Sequence, residues 1–591
     1  MKKLFSVLAA FLICAAIVLP AAAGTLDALS YRSAPHLIVH MEDVSKTLSR
    51  LGDSFMFEML LDENPMIDNY YEQAGEASPD AKKLVQAAQG GFIEWVKNFP
   101  VESFSIVRGL MDEDEDTFHG AVHFSPQKQE VLSRISALDA DEDDAEGKLK
   151  EAVLDLFGVP SEPKQVRSVF FSGTEVSVEE TNLYEISIRS EYPFPGAYGE
   201  YPVFYASVEK DGDESILLIG SEPEEVEKAR KALKNESGRL KIRRLGPAGH
   251  VNFVQANDSD KGVMMEDLLS GLVFKSHAPV FMELSFGLQD KERIEIALRH
   301  NLFDVFFGKA VKPQKAISKD EPGLKFGGGH PWLAALFSIV PTEGSVLGLL
   351  SLFIGGTDGE IVREFLKEQN ISIDTLTKAF RSLGLVLGGD SSLLGQNIPG
   401  GYVFISGGAD GAESIKTFLP FYREFLNSGY LFEETSREGW DMFYTLKENF
   451  NEQFSGIPLF AGMKGGALLL GSLNSGVLDE KPEFAWPAED GILHARLDVK
   501  RLSSLPAALS ASWSSDELAD AIEGFDLEDL LNANSYSALL RSLAFSQEIR
   551  EITLDVSDWG SLDLTFITGE ADKKQAKDLK RIIGELNKNE D

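Results

Sequence analysis

The feature that most constrains the fold is the stretch Ser215–Leu233, which reads SILLIGSEPEEVEKARKAL. Its apolar run, Ile216–Ile219, is bounded by Ser and Gly, as is typical of a buried strand. Ser221 and Glu224 have the spacing of a capping box, and Pro223 suits the first turn of a helix. Acidic residues then precede basic ones, which complements a helix dipole. The stretch therefore predicts a strand, a turn and a helix.

Related patterns recur along the chain and predict a modular fold. The closing pattern returns at Gly466–Leu478 and Ser561–Leu586. An opening pattern of a strand followed by a helix occurs at Ala34–Leu51 and Gly491–Leu505, with a looser copy from His250 and a helix at Met264–Leu272. We expect an α+β fold of antiparallel sheets with helices packed on one face, built from repeated strand-turn-strand-helix modules.

The start of the chain predicts export. Lys2 and Lys3 precede the apolar run Leu4–Leu19, and small residues follow it, so residues 1–23 have the pattern of a cleaved signal peptide. Cys14 is the only cysteine, so the mature chain would hold no disulfide, no thiolate metal site and no cysteine nucleophile. We expect a soluble bacterial protein, periplasmic or secreted, without a stable membrane anchor after cleavage.

Clusters of Pro and Gly divide the mature chain into three predicted units. The first α+β repeat unit covers residues 24–245, and a shorter C-terminal α+β unit covers 486–591. The second repeat unit covers 246–485 and contains an apolar helical insertion at 330–356.

Composition narrows the possible partners. The sequence carries a net charge of −38, which repels nucleic acid and anionic membrane surfaces, so no nucleic-acid partner is expected. Hydrophobic residues make up 43% of the chain, which is ample for globular cores. The excess of phenylalanine, 39 against 13 tyrosines, favours large apolar cores and is compatible with a cavity for an apolar ligand.

The insertion at 330–356 is the most apolar stretch of the mature chain, and Glu343 is its single acidic residue. Pro341 and Gly344 divide it into two halves, each too short to span a membrane as a helix. We predict a pair of short helices that is buried in the core, lines a ligand or partner surface, or contacts a membrane. The candidate ligand-binding residues are Trp332, Leu336, Phe337, Leu349 and Phe353.

Two histidine pairs have the spacing of a helical metal site. His36 and His40, like His119 and His123, are four residues apart, but HLIVH and HGAVH are typical of strands. Strand residues four apart lie about 13 Å from each other, too far for one ion to join them. No metal site is predicted.

A calcium-loop pattern is incomplete. Asp139, Asp141 and Asp143 match its first ligands, but Asp144 replaces the glycine and Lys150 replaces the bidentate Glu. Phosphate-binding loops, nucleophile elbows and zinc-protease helices are absent from the sequence. We therefore predict no cofactor and identify no catalytic residue.

The leading hypothesis is an exported, non-enzymatic cell-envelope protein that binds or scaffolds, with a groove for a hydrophobic ligand or peptide near 330–356. Its partner would be that ligand or another envelope protein. The alternative is a periplasmic hydrolase that uses paired carboxylates, since acidic residues are abundant. A structural subunit of an envelope complex is the third possibility.

Overall fold

A computed structural model gives the fold of the protein. It describes residues 28–29, 36–54, 91, 93–109, 117–139, 144–159, 174–180, 182–187, 203–235, 250–256, 263–264, 273–274, 281–290, 293–300, 331–338, 364, 367–368, 372–393, 396–428, 431–447, 459–472, 478, 491–504, 543, 546–558 and 560–588. The predicted signal peptide lies outside these residues. The chain divides into two compact units, Met1–Phe306 and Phe307–Asp591, and the predicted boundaries near 245 and 485 fall inside them.

The first unit mixes helices with antiparallel strands. Its strands are β1 His36–Met41, β2 Val101–Gly109, β3 Phe118–Phe124, β4 Glu175–Glu180, β5 Leu183–Ser187, β6 Val203–Asp211, β7 Glu214–Gly220, β8 His250–Ala256, β9 Val263–Met264, β10 Val273–Phe274, β11 Phe281–Asp290 and β12 Arg293–His300. The helices among its described residues include α1 Val44–Gly52, α2 Gln129–Ser136, α3 Ala145–Leu156 and α4 Pro223–Leu233. Of the helix predicted at Met264–Leu272, Met264 lies in β9 and the rest lies outside the described residues.

Six of these strands form one sheet in the order β2-β3-β7-β6-β5-β4, and every neighbouring pair is antiparallel. Within the first unit, β1, β8, β11 and β12 also pair side by side and antiparallel, in that order. Strands β9 and β10 form a small two-stranded sheet.

Helices pack on both faces of the six-stranded sheet, which corrects the expectation of one covered face. Ile216 and Leu218 of β7 pack with Val226 and Ala229 of α4. Their neighbours in the strand point to the opposite face, where α2 and α3 complete the main core of the unit. Because successive residues of a strand alternate between faces, the unbroken apolar run of β7 requires cover on both sides.

The start of α4 also differs from the prediction. The helix begins at Pro223, its N-cap is Glu222, and no side chain caps it. The hydroxyl of Ser221 accepts a hydrogen bond from the backbone N–H of Phe118 at 3.0 Å. Ser221 therefore joins the helix entrance to β3, and the capping box does not form.

The described residues of the second unit form ten antiparallel strands. They are β13 Leu333–Ser338, β14 Ser382–Leu393, β15 Gln396–Ser406, β16 Phe432–Glu434, β17 Met442–Leu446, β18 Leu459–Lys464, β19 Ala467–Ser472, β20 Leu493–Asp498, β21 Ile549–Asp558 and β22 Ser561–Thr568. Within the unit they lie in the order β22-β21-β20-β13-β14-β15-β19-β18-β17-β16. The helices are α5 Ile373–Ala379, α6 Gly408–Lys416, α7 Leu419–Ser428 and α8 Lys573–Lys588.

The insertion at 330–356 was expected to be helical, and this prediction is wrong for the part that the structure describes. Leu333–Ser338 is strand β13, which pairs with β14 on one side and β20 on the other. A short run of consecutive apolar residues fits a helix or a strand equally well, so pairing with neighbouring strands decides between them. Residues 339–356 lie outside the described part of the chain.

Close backbone approach explains two glycines of this unit. A Cβ on Gly384 would lie 2.1 Å from Cζ of Phe404, because the aromatic ring packs directly over its cross-strand partner. A Cβ on Gly411 would lie 2.1 Å from the carbonyl oxygen of Lys378, where α6 packs against α5. Both positions therefore exclude a side chain.

Candidate functional site

The second unit presents a wide apolar surface formed by one side of seven adjacent strands. Its middle row runs straight across the sheet, through residues that are directly paired from strand to strand. This middle row consists of Leu564, Leu554, Ala495, Ala335, Leu385, Val403 and Leu470. We call it, together with the two rows described next, the apolar face.

A second row lies on each side of the middle row across β22, β21, β20, β13 and β14, two residues away along each strand. The register fixes the members of both rows. One row contains Leu562, Val556, Leu493, Phe337 and Leu383. The other contains Phe566, Ile552, Leu497, Leu333 and Leu387.

Three residues of this face are exposed, and they lie on β14, β15 and β19. The exposed fractions of Leu383, Val403 and Leu470 are 51%, 41% and 45%. The other members of the face on β13, β14, β20, β21 and β22 are half-buried. Within the described part of the chain, the helices that pack on this side form a core with Ile405 and Leu468, at the edge of the apolar face. Large contiguous apolar surfaces of this kind usually mark binding sites in soluble proteins.

The opposite side of β13, β14 and β15 is a filled core. Leu336, Val386 and Phe404 are between 0% and 1% exposed and pack together with Tyr402. Burial raises the pKa of the Tyr402 hydroxyl well above its usual value. The two sides of these strands therefore differ in accessibility although both are apolar.

The opposite side of β20 and β21 is polar, and its groups are paired. The imidazole of His494 donates to Asp555, its direct cross-strand partner. The guanidinium of Arg496 donates to Glu551 at 2.6 Å, and this hydrogen bond raises the pKa of Arg496. The side chains of β20 thus alternate between a hydrogen-bonded polar side and the apolar face.

The structure separates the predicted ligand-binding residues. Phe337 lies on the apolar face, whereas Leu336 lies in the core on the opposite side of β13, so the two cannot line one groove. The backbone N–H of Trp332 donates to Leu387, and its carbonyl accepts from Asp498, so Trp332 extends the pairing of β13. Leu349 and Phe353 lie outside the described residues.

Most members of the apolar face were not singled out in the sequence, although a signal for them exists. The segments LHARLD, IREITLDV and SLDLTF alternate apolar and polar residues with the two-residue period of a half-exposed strand. The order of the strands carries no such signal, because β13 is brought between β20 and β14 from distant parts of the chain.

The histidines expected in strands occur there, in separate environments. The Nδ1–H of His40 donates to the carbonyl of Phe104 at 2.9 Å, and Ser105 Oγ lies at the same distance from that nitrogen. Glu42 Oε1 lies 3.3 Å from the other ring nitrogen. His40 and Ser105 are buried. These hydrogen bonds join β1 to β2 through a buried histidine and a buried serine.

His119 forms a second buried link. Its Nδ1–H donates to Glu225 Oε2 at 2.7 Å, and the other carboxylate oxygen accepts from Lys228. The side chains of His119 and Glu225 are 0% and 2% exposed. A buried carboxylate needs such partners, so this arrangement fixes α4 on β3. His123, four residues along the same strand, contacts Glu214 at 2.6 Å.

Within the described residues, no group of three or more His, Cys, Asp or Glu side chains is placed to hold a metal ion. Nor does any helix in the described ranges combine the length and apolar character needed to cross a membrane. Comparison with known proteins gives no match: neither a family model, nor a curated protein, nor a solved structure is significantly similar to the chain.

Proposed function

We propose that the protein is an exported, non-enzymatic binding protein of the cell envelope, and that the apolar face of its second unit binds a hydrophobic ligand. The observation that carries this proposal is the exposure of Leu383, Val403 and Leu470 on three neighbouring strands. Leaving such a surface in water is unfavourable by about 25 cal/mol per Å² of apolar area. A ligand that covers it removes this cost.

The sheet architecture favours binding over a purely structural role for this surface. The opposite side of β20 and β21 is stabilised by the hydrogen-bonded pairs His494–Asp555 and Arg496–Glu551, and that of β13 to β15 by a filled core. The apolar face is the side of these strands that gains most from a further partner. Its position on seven neighbouring, hydrogen-bonded strands gives it the rigidity that a preformed site requires.

We also propose that the fold arose by repetition of a hairpin-and-helix module. Support comes from the hairpins β6–β7, β18–β19 and β21–β22, each closed by a two-residue turn. In the first and third of these, a helix follows the second strand directly, namely α4 and α8. The second strand of each hairpin forms the first part of one of the three closing patterns recognised in the sequence.

The binding proposal is tested with N-phenyl-1-naphthylamine, a fluorophore that brightens in apolar sites. The probe is titrated against the unaltered protein and two single variants, Val403→Lys and Leu470→Lys. We expect bright binding to the unaltered protein and a loss of about tenfold or more in affinity for each variant, because a lysine ammonium is costly to bury beside a hydrocarbon. Glu433→Lys, on the exposed edge strand β16, is the matched control and should bind normally.

Equal binding by all four proteins would refute the assignment of the site to the apolar face. No binding by any of them would refute the proposed function. The hydrolase hypothesis stays a prediction, and no described pair of carboxylates gives it particular support.

A further inference from the structure

A buried imidazole joins two sets of strands within the first unit. Strand β1 pairs with β8, whereas β2 is the first strand of the six-stranded sheet. His40 of β1 is 3% exposed, and its Nδ1 lies 2.9 Å from the carbonyl oxygen of Phe104 and from the hydroxyl of Ser105, both on β2. The protonation state of one ring therefore bears directly on how firmly β1 is held on β2.

Both ring nitrogens of His40 face oxygen atoms that accept hydrogen bonds. A carbonyl oxygen has no proton to donate, so Nδ1 carries a hydrogen. Nε2 lies 3.3 Å from Oε1 of Glu42, whose side chain is 16% exposed. In a neutral ring with its proton on Nδ1, the lone pair of Nε2 would face this carboxylate oxygen. In the imidazolium both nitrogens donate, so the arrangement fits the charged ring.

The other charged and titratable residues on the elements around His40 have positions of their own. They are His36 on β1, Asp43, Lys46 and Arg50 at or beside α1, Glu102 and Arg108 on β2, His119 and His123 on β3, and His250 on β8. The two histidines of β3 are paired with carboxylates of α4 and β7, and Asp43 is paired with Lys46. Glu102 accepts a hydrogen bond from Ser45. Among the described residues, Glu42 is the carboxylate that contacts the ring of His40.

We propose that His40 makes the contact between β1 and β2 dependent on a proton: the imidazolium holds the two strands together, and loss of its Nε2 proton to water loosens them. Deprotonation turns the hydrogen bond to Glu42 into a repulsion between lone pairs in a buried site, where such a mismatch is costly. An imidazole in an unfolded chain loses this proton near pH 6.5. Because the folded contact favours the protonated ring, the contact is complete at acidic pH and weakens as pH rises. It involves no residue of the apolar face and is independent of the proposed binding function.

Nitrogen-15 spectra of the histidine-labelled protein test the protonation of the ring directly. The signals of His40 are identified by their loss in His40→Gln and by their shift in Glu42→Gln. We expect both ring nitrogens to carry protons at pH 7.5, where an ordinary histidine is about 90% neutral. A bare Nε2 at this pH would overturn the proposal.

Hydrogen exchange of the backbone amides, followed by mass spectrometry between pH 6 and 9 and corrected for the intrinsic effect of pH, tests the consequence. Protection of β1 should fall as pH rises, by up to about tenfold per pH unit, because one proton is released. In Glu42→Gln the side-chain amide can donate to the neutral ring, so protection of β1 should lose this pH dependence. Glu214→Gln alters the more exposed pair with His123 and is the matched control, which should behave as the unaltered protein does.

Circular dichroism verifies that each variant folds. Protection of β1 that does not change with pH in the unaltered protein would overturn the proposal, and so would the same pH dependence in Glu42→Gln. An equal loss of protection in β1 and in the core strand β7 would also overturn it, because the whole unit would then be opening and not this contact.

Discussion

Adjacent residues of β13 provide a sharp test of the fold and of the site together. Leu336 is 0% exposed and packs in the core with Val386 and Phe404, whereas Phe337 is half-buried on the apolar face. We expect Leu336→Ala to destabilise the protein strongly and to leave ligand binding intact. We expect Phe337→Ala to weaken ligand binding and to destabilise the protein less than Leu336→Ala does.

The magnitudes follow from burial. Truncating a fully buried leucine to alanine removes apolar contacts and leaves a cavity, so Leu336→Ala should lower the free energy of unfolding by about 3 to 4 kcal/mol. A fully buried phenylalanine costs about 3 to 5 kcal/mol on truncation, and Phe337 is only half-buried, so Phe337→Ala should cost about 2 kcal/mol. Phe337 lies on the apolar face, so its truncation should also weaken binding of the hydrophobic probe.

Urea unfolding followed by circular dichroism gives the stabilities, and fluorescence titration gives the affinities. A helix at this position would place the two side chains about 100° apart on one broad face, and both truncations would then have similar consequences. Equal destabilisation with equal loss of binding would therefore refute the strand assignment. Loss of binding for Leu336→Ala alone, in a folded protein, would refute the assignment of the apolar face.

Three further predictions concern stability. Gly384→Ala should lower the free energy of unfolding by about 2 kcal/mol in urea titration, because its methyl group would overlap the ring packed on it. Burial raises the pKa of Asp155, but hydrogen bonds from its two cationic partners outweigh this and lower it below 3.8, so its stabilising effect is present above that pH and is lost as pH falls through the folded-state pKa. Asp155→Asn should therefore be less stable than the unaltered protein at pH 6, by at most about 1 kcal/mol, and equally stable at pH 2. Thermal unfolding of both proteins between pH 2 and 6 measures this difference. Glu225→Ala should cost about 3 kcal/mol in chemical denaturation because it leaves His119 buried without its acceptor, and exposed Glu224→Ala on the same helix should cost little.

Local structure followed from the sequence where short-range physics decides it. The apolar run of β7 and the charge order of α4 predict a strand and a helix at the places where both occur. HLIVH and HGAVH were correctly assigned to strands, because helical spacing alone does not make a helix. The class, a mixture of helices with large antiparallel sheets, was also predictable.

Long-range pairing decided what these local signals could not. Leu333–Ser338 could be a helix or a strand by its composition, and strands β14 and β20, distant in sequence, made it a strand. The same pairing placed Leu336 and Phe337 on opposite sides of the sheet. The positions of α2, α3 and α4 likewise decide that both faces of the six-stranded sheet are covered by helices.

The sequence by itself determined which residues of each strand are apolar and at what period, because alternation is a property of a single strand. Only the tertiary structure decided that Ala335 and Ala495 meet between longer side chains and that seven strands align their apolar residues in one row. Strand order and register depend on contacts between residues far apart in the chain. A surface that spans many strands, such as the apolar face, therefore exists only after folding.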